Sequence, residues 1–323
     1  MSSHLTTVIT EKQYREFARG LSEEIGTLPT IGSLKKDSVL REIDILAKQF
    51  FSQAIRQIKS HVDSNDGGIA VADIPLSDDL SSAENFVCGA ATFTALFNAV
   101  GTPFRRNGEG APFSLHKASH SSVGKMKSAG LEKFTPDAKL GFHNDATITT
   151  DGVALPRHIG VYNAFIGYNN PGCFHWLPTS SWNEADMFHQ MAEEDVRTTV
   201  KLTPMMYEDA NGDFVQRGPS FVHAPLIWKN TDGNFRYFLN GEVNSAENSD
   251  RLVEMCAAMR KSIASSDSRI RIDQRERRAI ILRNTSGFHA RDIFEDPIQG
   301  LDLSRIMLRI VDSRSEFYPG TLA

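Results

Sequence analysis

The stretch from residue 278 to residue 291 reads RAIILRNTSGFHAR and combines an apolar strand, a polar turn and a histidine. The apolar run at 279–282 is short and is followed by the turn residues NTSG, so it predicts a buried β-strand. His289 follows that turn after one intervening residue, Phe288. Sixteen residues later, the segment RIMLR at 305–309 has alternating character, with three apolar residues between two arginines. This alternation predicts a second strand, which Arg305 opens.

Outward from this stretch, the N-terminal part of the sequence is helical and the rest is rich in short strands. Apolar residues show helical spacing in three segments: 11–29, 37–62 and 84–99. No internal repeat or low-complexity linker divides the chain. We therefore expect an α+β protein with a β-sandwich core braced by helices, in one domain over 1–323. Residues 1–64 are expected to form a helical N-terminal buttress.

The composition and charge argue against several classes of protein. The 323 residues carry a net charge of −5 without a basic stripe, which argues against nucleic acid as a partner. No run approaches the ~20 apolar residues of a membrane-spanning helix, and the N-terminus lacks the pattern of a secretory signal. The three cysteines are widely separated, which favours a reducing compartment. We expect a cytoplasmic globular protein with no nucleic-acid or membrane partner.

His143 differs from the other histidines of the chain because Asp145 follows it two positions later. His143 ends the strand candidate 140–143, and alternate residues of an extended segment point to the same side. One imidazole and one carboxylate can then converge on one point, as two neighbouring ligands of a metal ion do. A His-x-Asp triplet also occurs by chance, so this interpretation depends on what accompanies it elsewhere in the chain.

Four residues, in their order and spacing, resemble the iron(II)- and 2-oxoglutarate-dependent dioxygenases of the clavaminate synthase-like and taurine dioxygenase-like group: His143, Asp145, His289 and Arg305. His143 lies 146 residues ahead of His289. The resemblance covers roughly residues 65–312. It implies a distorted double-stranded β-helix, or jelly roll, with N-terminal and flanking helices.

The resemblance also implies a set of cofactors and site residues. It makes His143, Asp145 and His289 the catalytic ligands of iron(II), with 2-oxoglutarate as cosubstrate and O2 as oxidant. The far carboxylate of 2-oxoglutarate suits a planar guanidinium that binds it with two hydrogen bonds. This role falls first to Arg305. Arg309, four residues on, is the reserve, and Arg291 is a distant third.

Two positions depart from the family pattern. Where the family has a Thr that bonds the cosubstrate, this sequence reads PGCFHW at 171–176, and His175 or Phe174 takes the equivalent place. His175 either donates to the 2-oxoglutarate carboxylate or is a structural residue. Asp145 stands where clavaminate synthase-like enzymes commonly have Glu, and its shorter side chain still reaches a metal.

The implied activity is oxidation of an unactivated C–H bond of a free amino acid or an amino-acid-derived small molecule. Hydroxylation, desaturation or ring closure would occur in specialised metabolite biosynthesis, with release of succinate and CO2. A halogenase is disfavoured, because Asp145 fills the metal position that a halide needs. The alternative is a non-catalytic metal- or ligand-binding jelly-roll protein. In that case His143 and His289 are core histidines, and Arg305 is a surface residue.

The segment 101–130 is rich in Gly, Ser, His and Lys and shows little periodicity, which is typical of a binding loop or lid. Its cationic residues lie between glycines and suit a substrate that carries a carboxylate. We therefore expect Arg105, Arg106 and His116 to contact the substrate. The alternative is that these charged side chains only keep a loop solvated and bind no substrate.

Overall fold

The computed structural model describes most of the chain: residues 4–64, 68–105, 108, 110–128, 135–149, 152–194, 196–201, 205–208, 214–217, 221–243, 246–319 and 321–322. Seven α-helices lie in this part: α1 (Glu11–Ile25), α2 (Asp37–Phe50), α3 (Ser52–Val62), α4 (Ser82–Phe97), α5 (His120–Ser128), α6 (Asp186–Glu193) and α7 (Asp250–Ser265). Among these helices, none combines the length and the apolar character that crossing a membrane requires.

The N-terminal helices begin and end where local chemistry favours it. Thr10 caps α1 through a capping box with Gln13, and the helix stops at Gly26, whose φ of 81° suits glycine. The single helix predicted over 37–62 is instead two helices, which break at Phe51 (φ −117°). The sequence hides this break because the apolar spacing continues across it.

The strands, numbered in chain order, are β1 (Leu5–Val8), β2 (Ile69–Asp73), β3 (Ser114–Ser119), β4 (Leu140–His143), β5 (Thr147–Thr149), β6 (Gly152–Pro156), β7 (Ile159–Ile166), β8 (Tyr168–Asn170), β9 (Cys173–Pro178), β10 (Arg197–Lys201), β11 (Met205–Glu208), β12 (Phe214–Arg217), β13 (Phe221–Pro225), β14 (Ile227–Lys229), β15 (Phe235–Tyr237), β16 (Glu242–Val243), β17 (Ile270–Asp273), β18 (Arg278–Leu282), β19 (Gly287–Arg291), β20 (Glu295–Pro297), β21 (Leu303–Val311), β22 (Ser315–Pro319) and β23 (Thr321–Leu322). Two of the sheets position the site. One has six strands in the order β1-β2-β18-β7-β21-β3, and the other has four in the order β17-β9-β19-β4.

The six-stranded sheet separates two apolar layers, because alternate residues of each strand face opposite sides. Small residues such as Ala70 and Ala279 face the layer formed with α1 to α4. Their neighbours Val71 and Ile280 face the other way, into a cluster shared with Phe174 of the four-stranded sheet. The two sheets therefore pack against each other, and the helices cover the outside of the larger one.

The four-stranded sheet also has an inner and an outer face. Trp176 of β9 and Ile270 of β17 lie opposite each other in register and belong to the cluster between the sheets. The neighbouring Leu177 and Phe288 point outward and pack with Ile263 of α7 in a second buried cluster. Helix α7 thus covers part of the outer face of the four-stranded sheet.

Two segments differ from the expectation drawn from the sequence. The N-terminal buttress is not purely helical, because β1 pairs in parallel with β2 at the edge of the six-stranded sheet. The segment 101–130, expected as a loop or lid, contains strand β3, paired with β21, and helix α5. That expectation is wrong for 114–128, because hydrogen bonding to β21 organises a sequence whose own periodicity is weak.

Candidate functional site

Three side chains meet at one end of the space between the two large sheets. His143, Asp145 and His289 each place one donor atom within 4.8 Å of the other two. The two imidazole rings are 4.1 Å apart between centroids, and His143 Nε2 lies 3.8 Å from an Asp145 carboxylate oxygen. The structure therefore brings together the three residues that the sequence singles out as metal ligands, although 146 positions separate the two histidines.

His143 owes its orientation to the end of strand β4. It lies opposite His289 in the antiparallel pairing of β4 with β19, so both rings lie on the same face of the sheet. Its Nδ1 donates to the Gly141 carbonyl at 2.8 Å. This hydrogen bond places the proton on Nδ1 and makes Nε2 the nitrogen with the lone pair, as in metal-binding histidines.

His289 is buried, with 5 % of its surface exposed, and stacks against Phe174 at a centroid distance of 5.7 Å. Its Nδ1 is buried and has no hydrogen-bond partner among the described residues. Burial, together with His143, lowers the pKa of His289 to about 3, so the ring is neutral at physiological pH. A neutral imidazole is the form that binds a metal ion.

Asp145 is held from both its backbone and its side chain. Asn284 accepts a hydrogen bond from the Asp145 N–H at 2.8 Å and donates to the Asp145 carbonyl at 2.9 Å. Arg309 donates to the carboxylate at 2.5 Å. Burial alone would raise the pKa of Asp145, but Arg309 and the two imidazoles outweigh it and hold the pKa well below its usual range. The carboxylate is therefore ionised and fixed in position.

These three side chains fit a divalent metal ion by their chemistry. Two imidazoles and one ionised carboxylate form the donor set of the facial triad of non-haem iron(II) oxygenases. The unpartnered Nδ1 of His289 adds a physical reason, because a buried polar atom without a partner costs free energy unless a ligand satisfies it.

Arg305 is a buried cation on β21, the strand that also carries Arg309. It is 9 % exposed and donates from Nε and Nη2 to the Asn163 side-chain oxygen, at 3.1 and 2.6 Å. Its guanidinium carbon lies 5.0 Å from the centre of the Phe294 ring. Burial and the like charge of Arg291 lower the pKa of Arg305 to about 9. No carboxylate of the described residues lies within 4 Å of this guanidinium.

The other two candidate arginines already have partners. Arg291, two residues beyond His289, donates to the carbonyl groups of Thr135, Pro136, Ala138 and Asp292. Arg309 is paired with Asp145. The guanidinium carbons of Arg291 and Arg305 lie 5.2 and 5.0 Å from the centre of the Phe294 ring. The end of the site furthest from Asp145 is thus positively charged and suits an anion.

The expectation that His175 contacts the cosubstrate is corrected by its position in the sheet. His175 lies opposite Ala290, whereas the adjacent Trp176 lies opposite His289. Neighbouring residues of a strand point to opposite faces, so His175 points away from the metal cluster. Its Nε2 is 2.9 Å from Asp292. Phe174, the other residue considered at this position, is the one that faces His289.

The three residues expected to bind substrate do not share one location in the structure. Arg105 forms an ion pair with Asp37 and donates to the carbonyl of Gly110 at 2.8 Å, so the structure does not bring it to the metal cluster. Arg106 lies outside the described residues. His116 lies opposite Met307 on β21. Because Met307 stands between Arg305 and Arg309, His116 is the one described residue of the three that the structure places beside the site.

Three supporting residues were missed by sequence reasoning. Asn163 orients Arg305, Asn284 holds the backbone of Asp145, and Phe294 contacts two guanidinium groups. Asn284 carried a signal, since it is a polar residue two positions after the apolar run at 279–282. Asn163 and Phe294 carried none, because their roles depend on Arg305, which is distant from Asn163 in the chain and reaches Phe294 only through the fold.

Comparison with solved structures shows that this fold is similar to that of a non-heme iron oxygenase, OrfP. The OrfP complex with Fe and alpha-ketoglutaric acid has a TM-score of 0.62 at 12 % identity, over 96 % of this chain and 94 % of that one. The OrfP complex with Fe, succinate and (3R,4R)-dihydroxy-L-Arg has a TM-score of 0.63 at 12 % identity, over 95 % and 94 %. No known family model and no curated protein matches the sequence.

Proposed function

We propose that this protein is an iron(II)- and 2-oxoglutarate-dependent oxygenase that oxidises a C–H bond of an amino acid or amino-acid-derived molecule. One observation carries the proposal. Two imidazoles and a fixed carboxylate meet at one point, and β21, the strand whose Arg309 holds that carboxylate, also carries Arg305, a buried guanidinium with no carboxylate within 4 Å among the described residues. A metal ion would satisfy the first group, and an anionic cosubstrate would neutralise the second. The similarity in fold to OrfP supports the same reading.

In this proposal, His143, Asp145 and His289 hold iron(II). When bound, iron(II) supplies O2 activation coupled to oxidative decarboxylation of 2-oxoglutarate to succinate and CO2. The protein contributes the positions of the ligands. Gly141 sets the tautomer of His143, and Asn284 fixes the backbone of Asp145. Such supporting hydrogen bonds orient metal ligands and tune their affinity.

Arg305 is proposed to bind the far carboxylate of 2-oxoglutarate. Asn163 occupies Nε and Nη2 of the guanidinium and so fixes its plane, while Phe294 covers one side. An incoming carboxylate would meet a preoriented cation that is buried from solvent. Charge-assisted hydrogen bonds are strongest in such surroundings. Arg309 orients Asp145 instead, and Arg291 adds positive charge.

We infer that the two facing sheets are the halves of a distorted double-stranded β-helix, or jelly roll, and that 1–323 form one domain. The apolar cluster between the sheets supports this interpretation, as does the similarity to OrfP over 95–96 % of the chain. The metal ligands then lie at one end of the barrel-like interior, and the apolar side chains fill the other end.

An amino acid is the proposed substrate class. OrfP has been crystallised with L-Arg and with hydroxylated L-Arg, so this fold accommodates an amino acid beside Fe. In this chain, His116 on β3 is proposed to contact the substrate from the edge of the six-stranded sheet. Arg105 is not carried into the proposal, because Asp37 already neutralises it.

The test measures bound iron and succinate formation in the wild-type protein and in two histidine variants. His289→Ala should lose most bound iron(II) and nearly all succinate release during a screen of amino acids with 2-oxoglutarate. His175→Ala is the matched control, because that buried histidine lies on the opposite face of the same sheet. Normal iron binding by His289→Ala would refute the metal site. Stoichiometric iron without succinate release for any amino acid would favour the non-catalytic alternative.

A further inference from the structure

A second cavity lies on the outer face of the four-stranded sheet, behind the strands that carry the metal ligands. It measures about 210 Å³. Its wall includes Phe142 and Ala290, each adjacent in sequence to one of the candidate histidine ligands. Because neighbouring residues of a strand face opposite sides, this cavity and the metal cluster share β4 and β19 but open on opposite faces.

The cavity is rich in positive charge. Lys139, Arg269 and Arg271 line it. All three are exposed, and among the described residues none has a carboxylate oxygen within 4 Å. Asp292, in the same wall, acts on Lys139 and Arg271 from a greater distance. Arg269 donates to the Ala264 carbonyl at 3.2 Å, and Arg271 contacts the thiol of Cys173 at 3.8 Å.

The carboxylate at the cavity wall is already engaged. One oxygen of Asp292 is 2.9 Å from His175 Nε2, and the other accepts from the Cys173 N–H at 3.1 Å. His175 itself is 6 % exposed, and its Nδ1 has no hydrogen-bond partner among the described residues. The wall therefore presents three cations without a close ion pair and one carboxylate, beside a buried imidazole with an unsatisfied nitrogen.

The remaining wall is apolar. Phe142 packs near His175, with ring centres 6.3 Å apart, and Ala264 and Ala290 complete this side. A volume of about 210 Å³ exceeds what a single ordered water needs, ~30 Å³ in the liquid. The combination of cations with an aromatic and aliphatic wall suits a molecule that has an acidic group and a short carbon chain.

We propose that this cavity binds a small organic anion, a carboxylate with an apolar chain, at a site separate from the metal centre. The acidic group contacts Arg269, Arg271 and Lys139, and the chain lies against Phe142 and Ala264. The site is independent of the proposed oxygenase activity, since its residues do not face the metal cluster.

The experiment is calorimetric titration of the metal-free protein with glutarate and, in a second arm, with inorganic phosphate. Removing both guanidinium groups in Arg269→Gln/Arg271→Gln should weaken glutarate binding at least about tenfold, since hydrogen bonds between charged groups are lost. Arg19→Gln/Arg251→Gln is the matched control: it removes the same charge from exposed positions that do not line the cavity. It should bind glutarate as the wild type does.

Arg305→Gln separates the two sites, because glutarate also resembles the proposed cosubstrate. Glutarate binding that persists in Arg305→Gln and disappears in Arg269→Gln/Arg271→Gln supports the new site. Binding that disappears only in Arg305→Gln overturns it and leaves the proposed function standing. Phosphate that binds as tightly as glutarate overturns the assignment of an organic anion. Lys139→Gln, an exposed single change, repeats the test if the double variant unfolds, as judged by thermal unfolding.

Discussion

Replacing Arg305 with Lys tests the proposed cosubstrate site without removing its charge. The ammonium of Lys has no planar fork, so it cannot hold Asn163 and a carboxylate in the arrangement that the guanidinium allows. At least one charge-assisted hydrogen bond to the cosubstrate is lost, worth about 1.5–3 kcal/mol. We therefore expect Arg305→Lys to bind 2-oxoglutarate roughly 10–100-fold more weakly.

The measurement is the dissociation constant of 2-oxoglutarate for the iron-loaded protein, kept anaerobic so that no turnover occurs. Succinate formation against 2-oxoglutarate concentration provides a second readout. Arg236→Lys is the matched control: Arg236 is also a strand arginine, 8 % exposed, but it pairs with Glu316 of β22. This control should leave 2-oxoglutarate binding unchanged, so it accounts for any general effect of shortening a buried arginine.

An Arg305→Lys protein that binds 2-oxoglutarate within a factor of two of the wild type would refute the reasoning. The role would then pass to Arg309 or Arg291. If Arg305→Lys lost as much thermal stability as Arg236→Lys, this result would also contradict the reasoning. Arg305 has no carboxylate partner among the described residues, so its replacement breaks no ion pair.

Three further predictions concern the metal ligand, the helical layer and pH. Asp145→Asn should lower iron affinity at least ~10-fold in equilibrium dialysis, since even residues that only hydrogen-bond to a metal ligand contribute this much. Unchanged iron affinity would exclude Asp145 as a ligand. Gly89→Ala places a Cβ 2.5 Å from the Tyr162 hydroxyl and should cost about 1–3 kcal/mol in denaturant unfolding. Gly124→Ala, with nothing within 4 Å, should not destabilise. Hydrogen bonds from His158 and Arg314 overcome burial and lower the pKa of Asp312. This carboxylate therefore stabilises the fold above its unfolded pKa of about 3.8 and loses that contribution as pH falls below it. Asp312→Asn should unfold more readily than wild type at pH 7, with a difference that shrinks in acid.

Local sequence patterns predicted much of the scaffold because the strands that form its centre are strongly apolar. The run at 279–282 is buried on both faces and occupies the middle of the six-stranded sheet, where no strand position tolerates a polar side chain easily. Strand β3 shows the opposite case. Its residues SLHKAS have no clear alternation, and only pairing with β21 makes them a strand.

In the candidate metal site, too, some features follow from local sequence and others depend on strand pairing. His143 and Asp145 are two residues apart, and local extended geometry was enough to predict that their side chains converge. His289 was predicted from its order in the chain and from family resemblance, but the register of β19 against β4 is what places its ring 4.1 Å from that of His143. Register depends on pairing between distant segments, which local sequence does not encode.

The sequence by itself determined the residue types available for chemistry, the short apolar strands and the helical N-terminal layer, because these follow from composition and local periodicity. Only the tertiary structure decided which side of a strand each residue faces. The sequence left open whether His175 or Phe174 takes the place of the cosubstrate-binding Thr, and one position of register separates the outer face from the metal cluster. Pairing partners such as Asn163 for Arg305 were likewise decided by the packing of strands far apart in the chain, since a hydrogen bond depends on distance in space and not on spacing in sequence.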